Sequence, residues 1–117
     1  MNSRQVIGLV AIVMLSAIAA SAADTRTYAR SIELVWDDAV KATRDVDLEV
    51  TDSDRSEHRF EMERAKTSLK TAVRFEVELS DSGNQTTITV RAIGEEGSKR
   101  SVKIIAKYLA ALDDRID

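Results

Sequence analysis

The sequence contains no cysteine and no proline, and its 117 residues include only one histidine, one tryptophan and four glycines. Without cysteine, the chain can form neither a disulfide scaffold nor a thiolate zinc site. Its 17 basic and 20 acidic side chains give a net charge of −3, which excludes a basic nucleic-acid binder. The length supports one domain and excludes a large multidomain enzyme.

Apolar residues are concentrated at the N-terminus. A short start with one arginine precedes an apolar run over 6–18 and the small residues Ala20–Ala22. This order predicts a signal peptide over residues 1–22, cleaved before Ala23 or Asp24. The alternative is an uncleaved membrane anchor, although 18 residues span about 27 Å as a helix, against roughly 30 Å of hydrocarbon. We expect an exported protein, periplasmic or secreted, with membrane attachment only if this segment is retained.

The remaining residues, 23–117, are predicted to form a single α+β domain. They number 95, with 38% apolar, 38% charged and a net charge of −4. Apolar residues at helical spacing predict a first helix over Ser31–Thr43, capped by Ser31. A second apolar stripe, beginning after the capping residue Ser98, predicts a helix that closes the chain at Ile116.

Four segments between these helices alternate apolar and charged residues with a period of two: 46–50, 57–63, 73–79 and 87–92. Thr51–Ser56 has the composition of a turn. One face of each strand is charged, which predicts a four-stranded antiparallel sheet with both helices on its dry face. Thr25–Arg30 is β-prone and is expected to be a short edge strand or an extended lead-in, giving the order (β)-α-β-β-β-β-α.

The sequence predicts no catalytic, cofactor-binding or metal-binding residues. His58 is expected on the apolar side of a strand, beside Phe60 and Met62, as a structural histidine. Asp52 and Asp54 resemble the start of a calcium loop, but the sixth position of that loop is a glutamate where the sharp turn needs glycine. A solvated turn is therefore expected there, with weak calcium binding left open.

Two surfaces are candidates for binding. The first is the charged face of the sheet, with Arg59, Arg74 and Arg91. The second is a cavity between helix and sheet, lined by Trp36 and Tyr108. Basic residues within 64–74 and 99–107 could also form a patch for anionic lipid or an acidic partner, although the overall charge favours a mixed surface.

The run from Tyr28 to Ala42 carries a resemblance to a known group. Its Ser31-x-x-x-Val35-Trp36-x-x-Ala39 pattern, followed by four strands and a closing helix, is similar to small bacterial envelope domains of unknown function. Many of these are lipoproteins with a helix-grip-like layout. The resemblance implies no catalytic residues. This chain departs from the lipoproteins because it has no cysteine at the cleavage site, which puts membrane tethering in doubt.

The leading hypothesis is an exported, small, non-catalytic domain that binds a protein partner or a small ligand in the bacterial envelope. No cofactor and no nucleic-acid partner are expected. The alternatives are a small hydrolase that uses acidic residues or His58, and a membrane-anchored accessory subunit of an envelope complex. Intact mass separates the last of these from a free domain.

Overall fold

A computed structural model describes residues 23–68, 70–94 and 98–117, so the predicted signal peptide lies outside the described residues. This part of the chain forms five strands and two helices: β1 (Ala23–Tyr28), α1 (Ile32–Asp45), β2 (Glu49–Asp54), β3 (Arg59–Arg64), β4 (Val73–Ser82), β5 (Gln85–Ile93) and α2 (Lys99–Ile116). The predicted α+β class is confirmed. Neither helix is long and apolar enough to cross a membrane.

The strands form one antiparallel sheet in the order β1-β5-β4-β3-β2. The predicted count of four strands is wrong, because the optional first segment is a complete fifth strand. It pairs with β5 over six positions, from Ala23 opposite Arg91 to Tyr28 opposite Thr86. Threonine favours a pleated strand, and β1 covers an edge of β5 that would otherwise expose its backbone groups.

The core lies between one face of the sheet and both helices. Alternate residues of β4 (Val73, Phe75, Val77, Leu79) and β5 (Ile88, Val90, Ala92) are buried, in agreement with the predicted period of two. They belong to a single hydrophobic cluster with the apolar stripes of α1 and α2. The two helices therefore cover the same face and leave the other face to water, as expected for an antiparallel sheet with one dry side.

The predicted helix caps are confirmed, but the start of β2 is displaced. Ser31 and Ser98 accept hydrogen bonds from the backbone of their helices. The predicted bounds of the strand, 46–50, and of the turn, 51–56, are wrong: Leu48 donates its amide to the Thr43 carbonyl at 2.8 Å and closes α1. The strand begins only at Glu49 and continues to Asp54. The apolar residues Val46 and Leu48 thus belong to the end of α1, where the chain turns toward the core.

Polar contacts fix the two helices to each other and to β1. Arg115 reaches Asp45 through two hydrogen bonds, at 2.6 and 3.0 Å, which joins the ends of α1 and α2. Asp113 of α2 accepts from Tyr28 and from Arg26, each at 2.6 Å. Burial, followed by the bond to Asp113, raises the pKa of Tyr28. These contacts hold the edge strand β1 against the closing helix.

Candidate functional site

The water-exposed side of the sheet carries the charged residues that alternate with the core. We call this side the outer face. Glu76 lies on β4, the central strand, directly opposite Arg91 of β5 and Glu61 of β3. The same side carries Arg59 opposite Glu78. No other element of the described residues packs against this face, because both helices lie on the opposite side.

Glu76 accepts hydrogen bonds from two arginines on the outer face. Arg59 donates from Nη1 to its Oε2 at 2.9 Å, and Arg91 donates from Nη2 to its Oε1. The Glu76 side chain is only 15% exposed, whereas Arg59 and Arg91 are about half exposed, at 47% and 48%. The hydrogen bond from Arg91, assisted by Arg59, lowers the pKa of Glu76. One carboxylate therefore fixes two guanidinium groups on an open surface.

Arg74 and four threonines also lie on the outer face around Arg59, Glu76 and Arg91, together with the acidic residues Glu61, Glu63 and Glu78. Arg74 is exposed on β4 opposite Glu63, and no described carboxylate lies within ion-pair distance of it. The hydroxyl groups of Thr25 and Thr89 are 3.4 Å apart across β1 and β5. Thr27 and Thr87 make the same contact at 3.1 Å.

The structure places all three predicted arginines on the outer face and brings Arg59 and Arg91 together through Glu76. The sequence placed Glu76 on this face but gave no indication that it joins the two arginines. That information lies in the register of three strands, since Glu76 faces Arg91 across one pairing and reaches Arg59 diagonally across another. A strand pattern fixes which side a residue faces but not its cross-strand neighbours.

Trp36 and Tyr108, the two residues of the predicted cavity, are both core residues. Tyr108 is fully buried, and its hydroxyl donates to the Ala39 carbonyl of α1 at 2.7 Å. Trp36 is 3% exposed and meets the edge of Phe60 at a centroid distance of 5.5 Å. Both aromatic rings therefore fill the core, as buried aromatic side chains usually do.

His58 lies in the turn between β2 and β3, not within the strand where the alternation placed it. Its φ of 55° is left-handed, and its amide donates to the Arg55 carbonyl at 3.1 Å. The imidazole lies against Trp36, with ring centroids 6.1 Å apart, and Nε2 is 3.8 Å from a Glu33 carboxylate oxygen. That separation exceeds a hydrogen bond. The geometry describes a histidine that packs a turn onto α1.

The two residues of the suggested calcium loop also belong to β2 and its turn. Asp54 accepts from the Ser56 hydroxyl at 2.8 Å and from the Glu57 amide at 3.2 Å, and these bonds lower its pKa. Asp52 is exposed opposite Glu61 of β3. Within residues 23–68, 70–94 and 98–117, no group of three histidine or acidic side chains is arranged to hold a metal ion.

A groove of about 650 Å³ lies beside β2, on the helix side of the sheet. It is lined by the C-terminal half of α1 and by β2 with its neighbours: Val40, Thr43, Arg44, Asp47, Leu48, Glu49, Val50, Glu63 and Ala65. Neither Trp36 nor Tyr108 contributes to it. Its lining includes one cation, Arg44, and three carboxylates, and this mixture does not define one ligand class.

The fold and the outer face thus define a two-layer α+β domain with one polar sheet surface. No protein-family model matches the chain, and no curated protein matches it. Among solved structures, it is similar to a structural-genomics target from Cytophaga hutchinsonii determined in solution. The identity is 14% and the TM-score 0.40, over 80% of this chain and 88% of that chain.

Proposed function

We propose that this protein is a small, exported, non-catalytic domain of the bacterial envelope that binds a partner protein through the outer face of its sheet. The observation that carries this proposal is the Arg59–Glu76–Arg91 triad on the central strands. The export part is supported by the predicted signal peptide over residues 1–22.

Arginines held in position are well suited to a protein interface. A guanidinium group has five donors in a fixed fork, and Arg59 directs one of them to Glu76. Because this bond already restricts its rotamers, less side-chain entropy is lost when a partner binds. Arginine is also enriched among residues that dominate interface energies. A complementary partner surface would present carboxylates toward Arg59, Arg74 and Arg91.

A protein partner fits this surface better than a small ligand does. The arginines and threonines are spread over β1, β5, β4 and β3, so their polar groups face outward along a sheet. Small-molecule sites are concave and bring a few polar groups together at one point. A partner surface of comparable breadth can contact the triad and the threonine rows at once.

Affinity capture from the envelope fraction of the producing cells, after mild crosslinking, tests this proposal. The double variant Arg59→Gln/Arg91→Gln is compared with Arg30→Gln/Arg44→Gln, which removes the same charge elsewhere. We expect one protein to co-purify with the wild type and the control, and at least about tenfold less with the first variant, for two lost interface charges. Arg74→Gln, which leaves the triad intact, should also reduce capture.

Recovery of the protein alone, at native abundance, would contradict the proposal. Equal capture by the wild type and by both outer-face variants would also contradict it. Circular dichroism of each variant shows whether the fold is retained. The intact mass of the recovered protein tests the export part: a chain that starts at Ala23 or Asp24 supports a free exported domain, whereas the mass of the full chain indicates an anchored subunit.

A further inference from the structure

Positive charge is segregated within the chain. Residues 64–74 and 99–107 hold eight basic side chains and no acidic one. Including Glu95 and Glu96, which precede the second range, these parts carry a net charge of +6. The rest of residues 23–117 then carries −10. The net charge of −4 for residues 23–117 does not show this uneven distribution.

The fold brings the two basic segments together. Arg100, near the start of α2, donates from Nη1 to the Thr71 carbonyl in the β3–β4 loop at 2.8 Å. The end of β3 pairs with the start of β4, and the end of β5 pairs with that same start. The loop and the beginning of α2 therefore lie at one end of the strands. We call the cations there the basic end: Lys66, Lys70, Lys99, Arg100 and Lys103.

The basic end has no fixed counter-charge among the described residues. Its four lysines are exposed, and none of its five cations forms an ion pair with a described carboxylate. Arg26, Arg55, Arg59, Arg91 and Arg115 differ in this respect, since each is paired. A group of unpaired cations creates a positive potential that attracts an anionic surface.

An exposed apolar side chain lies at the same end. Val102 is 51% exposed between Arg100 and Lys103, so it stands among the cations. Lysines that flank an exposed apolar residue are typical of surfaces that lie on a bilayer.

We propose that the basic end docks on the anionic headgroups of a lipid bilayer. Exposed lysine ammonium groups on flexible stems can follow mobile phosphate headgroups, and each basic side chain near an anionic bilayer adds to the attraction. Because the contact is made at the ends of the strands, the outer face stays open at the side. The inference goes beyond the proposed function and adds a second surface to it.

Vesicle co-sedimentation of the purified protein tests this inference. Vesicles of phosphatidylcholine with phosphatidylglycerol are compared with vesicles of phosphatidylcholine alone, at low and high salt. We expect binding only to the anionic vesicles, weakened by salt. The variant Lys66→Gln/Lys99→Gln/Lys103→Gln should bind about 100-fold more weakly, for three charges removed from the surface.

The matched control is Arg30→Gln/Lys41→Gln/Arg55→Gln, which removes the same charge from the segment after β1, from α1 and from the β2–β3 turn, and should bind nearly as the wild type does. Four results would overturn the inference: no binding to anionic vesicles, equal binding to both vesicle types, equal loss in both triple variants, or binding to polyglutamate in place of vesicles. Partner capture through the outer face should be unchanged in the lysine variant, so the two proposals fail separately.

Discussion

Glu76 differs from the other acidic residues of the outer face in its environment. Its side chain is mostly covered and lies between two arginines, whereas Glu78, two positions along the same strand, is exposed and forms no ion pair with a described residue. Covering a carboxylate costs free energy unless charged hydrogen bonds compensate for the lost water. Arg59 and Arg91 supply these bonds, which is why their own positions are defined.

Acid titration should reveal the contribution of Glu76. The pKa of this carboxyl is lowered from its usual 4.5, so its pairing stabilises the fold above that pH and is lost as the pH falls through the folded-state pKa. In urea unfolding, Glu76→Gln should cost about 1 kcal/mol at neutral pH, because both arginines are half exposed. The cost should shrink below pH 4.5. A difference that stays constant down to pH 3, or an equal effect of Glu78→Gln, would contradict this.

The residues of the candidate site show what a strand pattern can predict. Alternation correctly placed Arg59, Arg74 and Arg91 on the water side, because side-chain direction has a period of two. It could not show that two of them share Glu76, since this depends on pairing between strands. Helical spacing likewise placed Trp36 and Tyr108 on apolar stripes. Whether those stripes leave a cavity depends on how the layers pack, and here both rings are buried.

The end of α1 illustrates a boundary that alternation obscured. Asp47 has a φ of 59°, and the amides of Asp47 and Leu48 return to the carbonyls of Arg44 and Thr43. This is the Schellman arrangement, in which glycine usually occupies the left-handed position. Because an aspartate occupies this position, the sequence lacks the glycine that usually marks the end of a helix. The apolar residues on either side of it were consequently assigned to a strand.

Replacing this aspartate by glycine should stabilise the protein. Asp47→Gly removes the steric cost of a residue with a side chain at positive φ. It also removes a negative charge from the helix C-terminus. We expect the free energy of unfolding in urea to rise by about 0.5–1 kcal/mol. Asp47→Ala is the matched control, because it removes the charge but keeps the backbone cost. An alanine variant as stable as the glycine variant would rule out the backbone explanation.

The edge strand β1 depends on contacts from α2 as well as on its pairing with β5. Asp113 receives hydrogen bonds from both Arg26 and Tyr28, on the helix side of the strand. The composition of 25–30 indicated β structure but left a lead-in as an alternative. Long-range contacts make this segment a fixed part of the sheet: its pairing with β5 and the hydrogen bonds from Arg26 and Tyr28 to Asp113.

Hydrogen–deuterium exchange tests the role of Asp113. Asp113→Ala should accelerate exchange of the protected amides in β1 about tenfold, since local opening would break fewer hydrogen bonds. Exchange in β3 and β4 should change little. Asp114→Ala is the control, because Asp114 is adjacent and exposed and makes no ion pair with a described residue. Equal acceleration in both variants, or acceleration throughout the sheet, would contradict this role.

The molecule as a whole combines one enclosed core with two different surfaces. Its helices and the inner side of the sheet enclose the core, its outer face carries the Arg59–Glu76–Arg91 triad, and its strand ends carry the basic end. The layer order followed from periodicity, because two amphipathic helices and a one-sided sheet can satisfy each other in one way. The fifth strand and the joining of the two basic segments required long-range contacts, which a local pattern does not contain.

The outer face is the proposed binding surface of the protein. A photo-crosslinking residue introduced at Ser80, which is exposed on β4 opposite Thr87, tests this in the producing cells, with Lys41 on the exposed side of α1 as the control position. We predict one discrete protein adduct from position 80, lost when Arg59 and Arg91 are also replaced by glutamine, and none from position 41. Adducts from position 41 alone, or equal adducts from both positions, would contradict the account.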